Sequence, residues 1–285
     1  MSRISDLLRP SRKQRLLGQV VVVTGAGSGF GREASLLFAS LGANVVAVDI
    51  NLPAAEETAQ LARALGIKAD AHKVDVGNVE QMEALATWVA EVYGAPDVII
   101  NNAGIGMAGS FLETTVQDWN RVMNVNLWGV IHGSRLFAKQ MVAAKKAGHI
   151  VNVASMAAFT PSRTTAAYST TKAAVRMFSD CIRGELADYS IGVSTICPGF
   201  STTGIVNNTR FAGLSEAEQA KTRAKANKLY SLRSLPPRVI AEAILHAVEH
   251  NEPEVPVGFE ATGMRLLGRI SPGFSRLFAR LDITP

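Results

Sequence analysis

From residue 19 onward, short runs of apolar and β-branched residues alternate with stretches in which apolar side chains recur at i, i+3, i+4 and i+7. The runs 19–24, 44–48, 68–74, 97–101, 149–154 and 192–197 read as strands. Several are almost continuously apolar, as strands covered on both faces must be. Between them, Ala34, Leu37, Phe38 and Leu41 fit one face of a first helix, and Leu85, Trp88, Val89 and Val92 one face of a third. Alternation repeated this often builds right-handed βαβ units, and hence a doubly wound parallel sheet with helices on both faces. No low-complexity linker and no repeat of solenoid length interrupts residues 19–257, which therefore read as one α/β domain.

Two stretches break the rhythm. Residues 200–235 are polar, carrying Asn207, Asn208, Arg210, Lys221, Arg223, Lys225 and Lys228, and they follow the last predicted strand. They read as a helical lid over a site, with a solvated pair of surface helices as the alternative. Their cations can meet an acidic group or simply keep the lid in water. In the tail, 258–285, Phe274, Leu277, Phe278 and Leu281 recur at helical spacing, with Arg276 and Arg280 on another face.

The net charge of +5 sits at the ends. Residues 1–18, a basic extension, carry +4 and residues 259–285 carry +2, leaving −1 on the body. A nucleic-acid groove needs a basic stripe on the folded body, so nucleic acid is not an expected partner. The tail is expected to pack onto the catalytic body or a partner subunit. The alternative is peripheral contact with an anionic membrane, aided by Leu7, Leu8, Leu16 and Leu17 among the N-terminal bases. Pro272 and Gly273 interrupt any long helix there, which weakens that alternative. Two cysteines, Cys181 and Cys197, with no secretory signal, point to a reducing, cytoplasmic home. No apolar run approaches the ~20 residues needed to span a bilayer.

After the first predicted strand comes a turn rich in glycine, with Gly25, Gly27, Ser28, Gly29, Phe30 and Gly31 ahead of a helix. Such a turn lets backbone approach a pyrophosphate, and the helix N-terminus supplies N–H donors and a positive dipole end. Gly-rich turns also make tight corners with no ligand at all. Here, however, Asp49 closes the second strand 24 residues after Gly25. A carboxylate at that place accepts hydrogen bonds from ribose hydroxyls and repels a 2′-phosphate. Ile50 and Asn51 follow, with no base beside them, so NAD is favoured over NADP. A dinucleotide fold that has lost its ligand is the bland reading.

The glycine spacing, TGxxxGxG, resembles that of the short-chain dehydrogenase/reductase family, and further matches follow in that family's order. Asn101, Asn102, Ala103 and Gly104 match its NNAG, and Asp75 with Val76 match the acidic stretch near the adenine. Asn126 matches its catalytic asparagine and Ser155 its catalytic serine. Tyr168 and Lys172 form its YxxxK, 13 residues beyond that serine, and Pro198, Gly199 and Thr203 match PGxxxT beside the nicotinamide. The resemblance implies a single-domain Rossmann-like enzyme, an alcohol dehydrogenase or carbonyl reductase using NAD(H), assembled as a homodimer or homotetramer. NADP(H) dependence is the alternative within that chemistry, and a non-catalytic NAD-binding sensor or scaffold the alternative outside it.

Tyr168 and Lys172 are one helical turn apart, so their side chains share a face. A free phenol titrates near ~10, too high for a base at neutrality. A nearby ammonium favours phenolate, and Tyr168 then takes the alcohol proton or returns it to a ketone. Ser155 is expected to hydrogen-bond the substrate oxygen. By resemblance, Lys172 also holds the nicotinamide ribose, and Asn126 holds a water linking Lys172 to solvent. Specificity should come from Met107, residues 156–162 and the 200–235 excursion. Met156, Ala157, Ala158 and Phe159 favour a hydrophobic or bulky secondary alcohol or ketone. No metal site is expected, since the five histidines are scattered and the pair His246 and His250 reads as an exposed helix end. Cys197 reads as a buried small hydrophobe.

Overall fold

The computed structural model describes residues 15–200, 205–231 and 235–279. Thr203, the bases ahead of Arg15, and Arg280, Leu281 and Asp282 lie outside the described residues, as do the side chains of Phe274 and Phe278. In chain order the elements are β1 (Val20–Thr24), α1 (Gly29–Ser40), β2 (Asn44–Asp49), α2 (Leu52–Arg63), β3 (Ala69–Lys73), α3 (Val79–Tyr93), β4 (Val98–Asn101) and β5 (Met107–Ala108). Then come α4 (Val116–Met123), α5 (Gly129–Ala143), β6 (Gly148–Val153), α6 (Ala166–Leu186), β7 (Ile191–Pro198) and β8 (Arg210–Phe211). The chain continues through α7 (Glu216–Ser231), α8 (Pro237–His250), β9 (Glu254–Val257), α9 (Phe259–Ile270) and α10 (Pro272–Phe278).

Seven strands form one parallel sheet in the order β3–β2–β1–β4–β6–β7–β9. The winding reverses between β1 and β4, so the carboxyl ends of those two strands open a crevice at the edge of which a ligand can sit. Both faces are covered because the strands are apolar on both. In β1, Val21 and Val23 join a core with Phe38 of α1, Ala59 of α2 and Ile244 of α8. Val20 and Val22 join the opposite core with Met82 and Val89 of α3 and Phe137 of α5. This is the period of two of a pleated strand with no solvent face. Each such side chain contributes about 1.5–3 kcal/mol on burial.

All six predicted strands form, with β2 reaching Asp49 and β7 reaching Pro198. Three strands were not predicted. β5 and β8 have two residues each and pair with one another, too short to carry a period. β9 reads Glu-Val-Pro-Val, and its proline is tolerated because β9 is the sheet's edge and pairs only with β7. The buried face of α3 is Met82, Leu85, Ala86 and Val89, with Trp88 partly covered. Val92, expected on that face, is 53% exposed, because residues 90–92 have left the core. The break at Pro272 is present: α9 ends at Ile270 and α10 starts anew.

Candidate active site

The crevice between β1 and β4 is stitched by side chains. Thr24 Oγ1 accepts the N–H groups of Asn102 (3.0 Å) and Ala103 (3.1 Å), and Asn102 Nδ2 donates to the carbonyls of Thr24 (2.9 Å) and Gly25 (3.1 Å). Gly25 turns the chain at φ +66°, and a Cβ there would lie 2.8 Å from Asn102 Nδ2. The N–H of Gly27 donates to Asp49 Oδ2 at 2.8 Å, while Asp49 Oδ1 accepts the N–H of Asn51 at 2.9 Å. Asp49 is thus locked at the end of β2 against bare backbone. Ser28 is the N-cap of α1 without a side-chain hydrogen bond, so no side chain from the cap occupies the first-turn donors.

One cavity of about 750 Å³ runs from this turn to the carboxyl ends of β6 and β7. Gly25, Gly27, Ser28, Gly29, Phe30, Asp49, Asp75, Val76, Asn102, Ala103 and Gly104 line it, together with Ser155, Tyr168, Lys172, Pro198 and Gly199. Asp75 accepts the N–H of Gly77 through Oδ1 at 2.9 Å. Gly31 is not in the lining. A Cβ on it would lie 2.2 Å from the Gly25 carbonyl oxygen, so this glycine lets α1 pack against the turn.

At the far end, α6 presents Tyr168 and Lys172 from consecutive turns, with the Lys172 ammonium 5.8 Å from the centroid of the Tyr168 ring. Lys172 is 3% exposed and donates to the Val153 carbonyl at 2.9 Å. Burial lowers its pKa from the ordinary 10.5 to about 8. Cys197 beside it is fully buried, and burial pushes its thiol up to about 12, so it packs as a small neutral group. Ser155 follows β6 and accepts the Ala157 N–H through Oγ at 3.2 Å, capping the 3₁₀ turn Met156–Ala158 while still facing the cavity.

Asn126 does not line the cavity. It sits in a π-helical turn, Asn124–Trp128, between α4 and α5, a departure often found at functional sites. Its amide clamps Ile105, accepting the N–H (2.8 Å) and donating to the carbonyl (2.9 Å), and Nδ2 lies 3.3 Å from Thr171 Oγ1. A Cβ on Gly104 would lie 3.4 Å from Asn126 Oδ1 and 3.5 Å from Lys172 Nζ, so amide and ammonium flank the same glycine.

The remaining walls come from Met107, Met156, Thr160, Ile205, Val206 and Phe211, and from Met264 of α9. Among the described residues, charged side chains reach the lining only at Asp49, Asp75 and Lys172. The described part of the 200–235 excursion contributes Ile205, Val206, Asn208, Thr209, Phe211 and Ala226 to the lining. It is held by β8 on β5 and by Arg210, whose Nε lies 2.5 Å from buried Asp118 Oδ1. Burial pushes the Asp118 carboxyl up, but hydrogen bonds from Thr115 and the Arg210 charge outweigh this and hold it below its usual value. Asp118 and Met264 were not read from the sequence; only the Thr115–Asp118 capping box was there to be seen. His246 and His250 stack at the exposed end of α8, and no group of three or more potential metal ligands occurs among the described residues. No described helix is long and apolar enough to cross a membrane.

The residues fit a nicotinamide dinucleotide on three counts. The Gly27 position has no room for a side chain beside the Asp49 carboxylate. The first turn of α1 is not capped by the Ser28 side chain. A buried ammonium at the far end of the same cavity has a backbone carbonyl as its hydrogen-bond acceptor, which leaves it donors for ribose hydroxyls.

Comparison with known proteins agrees with this geometry. The family model for short chain dehydrogenases matches residues 19–212. Over 266 residues, 93% of this chain, the sequence is 44% identical to the probable oxidoreductase EphD of Mycobacterium tuberculosis. The match covers 45% of EphD, so this chain spans less than half the length of that relative. A short chain dehydrogenase/reductase from Burkholderia phymatum, crystallised in complex with NAD, superposes with a TM-score of 0.82 at 29% identity, covering 93% of this chain and 96% of that one. A metagenomic short-chain oxidoreductase in complex with NADP gives 0.69 at 29% identity, covering 85% and 97%.

Proposed function

Because the chain belongs to the short-chain dehydrogenase/reductase family of oxidoreductases, we propose that it moves a hydride between NAD(H) and a secondary alcohol or ketone with an apolar body. The reading rests on one observation: Ser155, Tyr168 and Lys172 line the same cavity as the glycine turn and Asp49. A bound nicotinamide dinucleotide supplies the hydride acceptor or donor. Tyr168 takes the proton of the alcohol hydroxyl, or returns it to the ketone oxygen. The Lys172 charge favours the phenolate and its ammonium donors hold the nicotinamide ribose. Ser155 donates to the substrate oxygen and stabilises charge as it develops. Asn126, which flanks Gly104 together with Lys172, is given the proton relay to solvent by the family resemblance, while its amide, bonded to Ile105 and Thr171, holds the loop after β4 in place. Gly25 to Phe30, with Asn102 to Gly104, hold the pyrophosphate end, Asp75 and Val76 border the adenine, and Pro198 and Gly199 border the nicotinamide.

Asp49 supports NAD over NADP, since its carboxylate is fixed by two backbone N–H groups where a 2′-phosphate would meet it. The apolar far walls support an uncharged, bulky substrate. We further propose a homodimer or homotetramer, testable by sedimentation velocity. The function is tested by screening alcohols and ketones of graded size with both cofactors, following the nicotinamide absorbance. Turnover of apolar ketones with NADH is expected. No turnover of any of them overturns the function, and preference for the phosphorylated cofactor overturns the part played by Asp49.

A further inference from the structure

Glu254 opens β9 at the edge of the sheet, yet its side chain is 6% exposed. Three guanidinium groups surround it. Arg176 of α6 donates to Oε2, Arg265 of α9 donates through Nε to Oε1 at 2.6 Å, and Arg269 of α9 lies 3.5 Å from the same oxygen. Burial alone would push this carboxyl up, but the hydrogen bonds and charges of Arg176 and Arg265 outweigh it and hold the group below its usual range. Without the carboxylate the three cations would face one another, so the contact between α9 and the body depends on one negative charge.

The face of α9 that this contact presses inward meets the segment following Ser155. Gly268 sits so close to the Phe159 carbonyl that a Cβ would lie 2.8 Å from its oxygen. Thr160 Oγ1 donates to Met264 Sδ at 3.4 Å, and the Arg176 guanidinium lies 5.5 Å above the Phe159 ring. Met264 itself lines the cavity. All of α9 and β9 lie beyond residues 19–212, where the family model ends.

We propose that Glu254 is a positioning residue that clamps α9 onto the segment carrying Ser155, and that Met264 on the clamped face closes the substrate compartment and sets how long an apolar body it admits. The proposal rests on the reading of this cavity as an alcohol and ketone site. A methionine is suited to such a wall, being unbranched, polarisable and able to fill an irregular gap. The wall is only as fixed as the helix behind it.

The test compares the full chain with Glu254→Gln, Arg265→Met and Met264→Trp on methyl ketones running from butanone to a twelve-carbon chain, with NADH. Arg265→Met leaves the Glu254–Arg176 pair in place and serves if Glu254→Gln does not fold. For both clamp variants, which free the wall that limits length, the kcat/KM ratio of the twelve-carbon ketone to butanone is expected to rise at least tenfold, through KM. Met264→Trp is expected to shorten the longest ketone accepted. Amide exchange over residues 259–270 is expected to quicken at least tenfold in both clamp variants, a readout that needs no substrate. Turnover by the wild type with a ratio unmoved by all three substitutions overturns the inference and leaves the function standing. Absence of turnover on every ketone overturns the function; unchanged exchange over α9 overturns the clamp whether or not a ketone reacts.

Discussion

Replacing Lys172 by methionine is expected to raise the stability of the cofactor-free protein while removing its activity. The ammonium is 3% exposed, with the Val153 carbonyl as its acceptor at 2.9 Å. Holding it charged there costs what the fall in its pKa from 10.5 to about 8 measures. At about 1.4 kcal/mol per tenfold, that is about 3 kcal/mol. Methionine fills a similar volume without charge but forfeits the bond to Val153, worth about 1 kcal/mol. The net gain is about 2 kcal/mol near neutrality, or a rise in Tm of roughly 4–8 °C for a chain of this size.

The pH dependence fixes the cause. Below about pH 8 both folded and unfolded states bind the proton, so the wild type carries the full penalty. Between about 8 and 10.5 the folded state loses the proton first, and the penalty shrinks as pH rises. The gap between variant and wild type should therefore be widest at pH 7 and nearly closed at pH 10. Calorimetric melting without cofactor at both values measures it. A variant that melts below the wild type at pH 7, or a gap that does not change with pH, would refute the reasoning.

Asp49→Asn removes the charge that meets a 2′-phosphate while keeping an acceptor for the Gly27 N–H. A charge pair near 4 Å is worth about 1–4 kcal/mol, so the NADP-to-NAD ratio of kcat/KM should rise tenfold or more, and an unmoved ratio counts against the assignment. Gly31→Ala puts a Cβ 2.2 Å from the Gly25 carbonyl oxygen. The shift this forces costs about 1–3 kcal/mol and weakens NADH binding; fluorescence titration and melting that both match the wild type would contradict it. Asn126→Leu strips the Ile105 N–H and carbonyl of their partners. It should lower stability in urea by about 2 kcal/mol or more, and a loss under about 0.5 kcal/mol would show that the π-helical turn does not depend on this amide.

Much of the site was legible because it is local. The glycine turn, Asp49 at a strand end and the Tyr168–Lys172 spacing are each fixed within a few residues, and the valines of β1 announce a strand buried on both faces. What depends on distant partners was not. Glu254 reads as an ordinary exposed acid in a proline-containing stretch until α6 and α9 bring three arginines to it. Met264 enters the cavity from α9, a helix whose place against the residues after Ser155 no local pattern announces. Gly31 fits the glycine pattern, yet its neighbour is the Gly25 carbonyl, a distinction of packing that spacing cannot express. Asn126 likewise matches a motif, while its bonds to Ile105 require the loop after β4 to fold back onto the π-helical turn.

Tyr168→Phe keeps the ring beside Lys172 and deletes only the hydroxyl. With NADH and an apolar ketone that the wild type reduces, nicotinamide absorbance after rapid mixing should show turnover slowed by about a thousandfold, while fluorescence titration still finds NADH bound. Turnover at the wild-type rate would mean that this phenol moves no proton in the reaction.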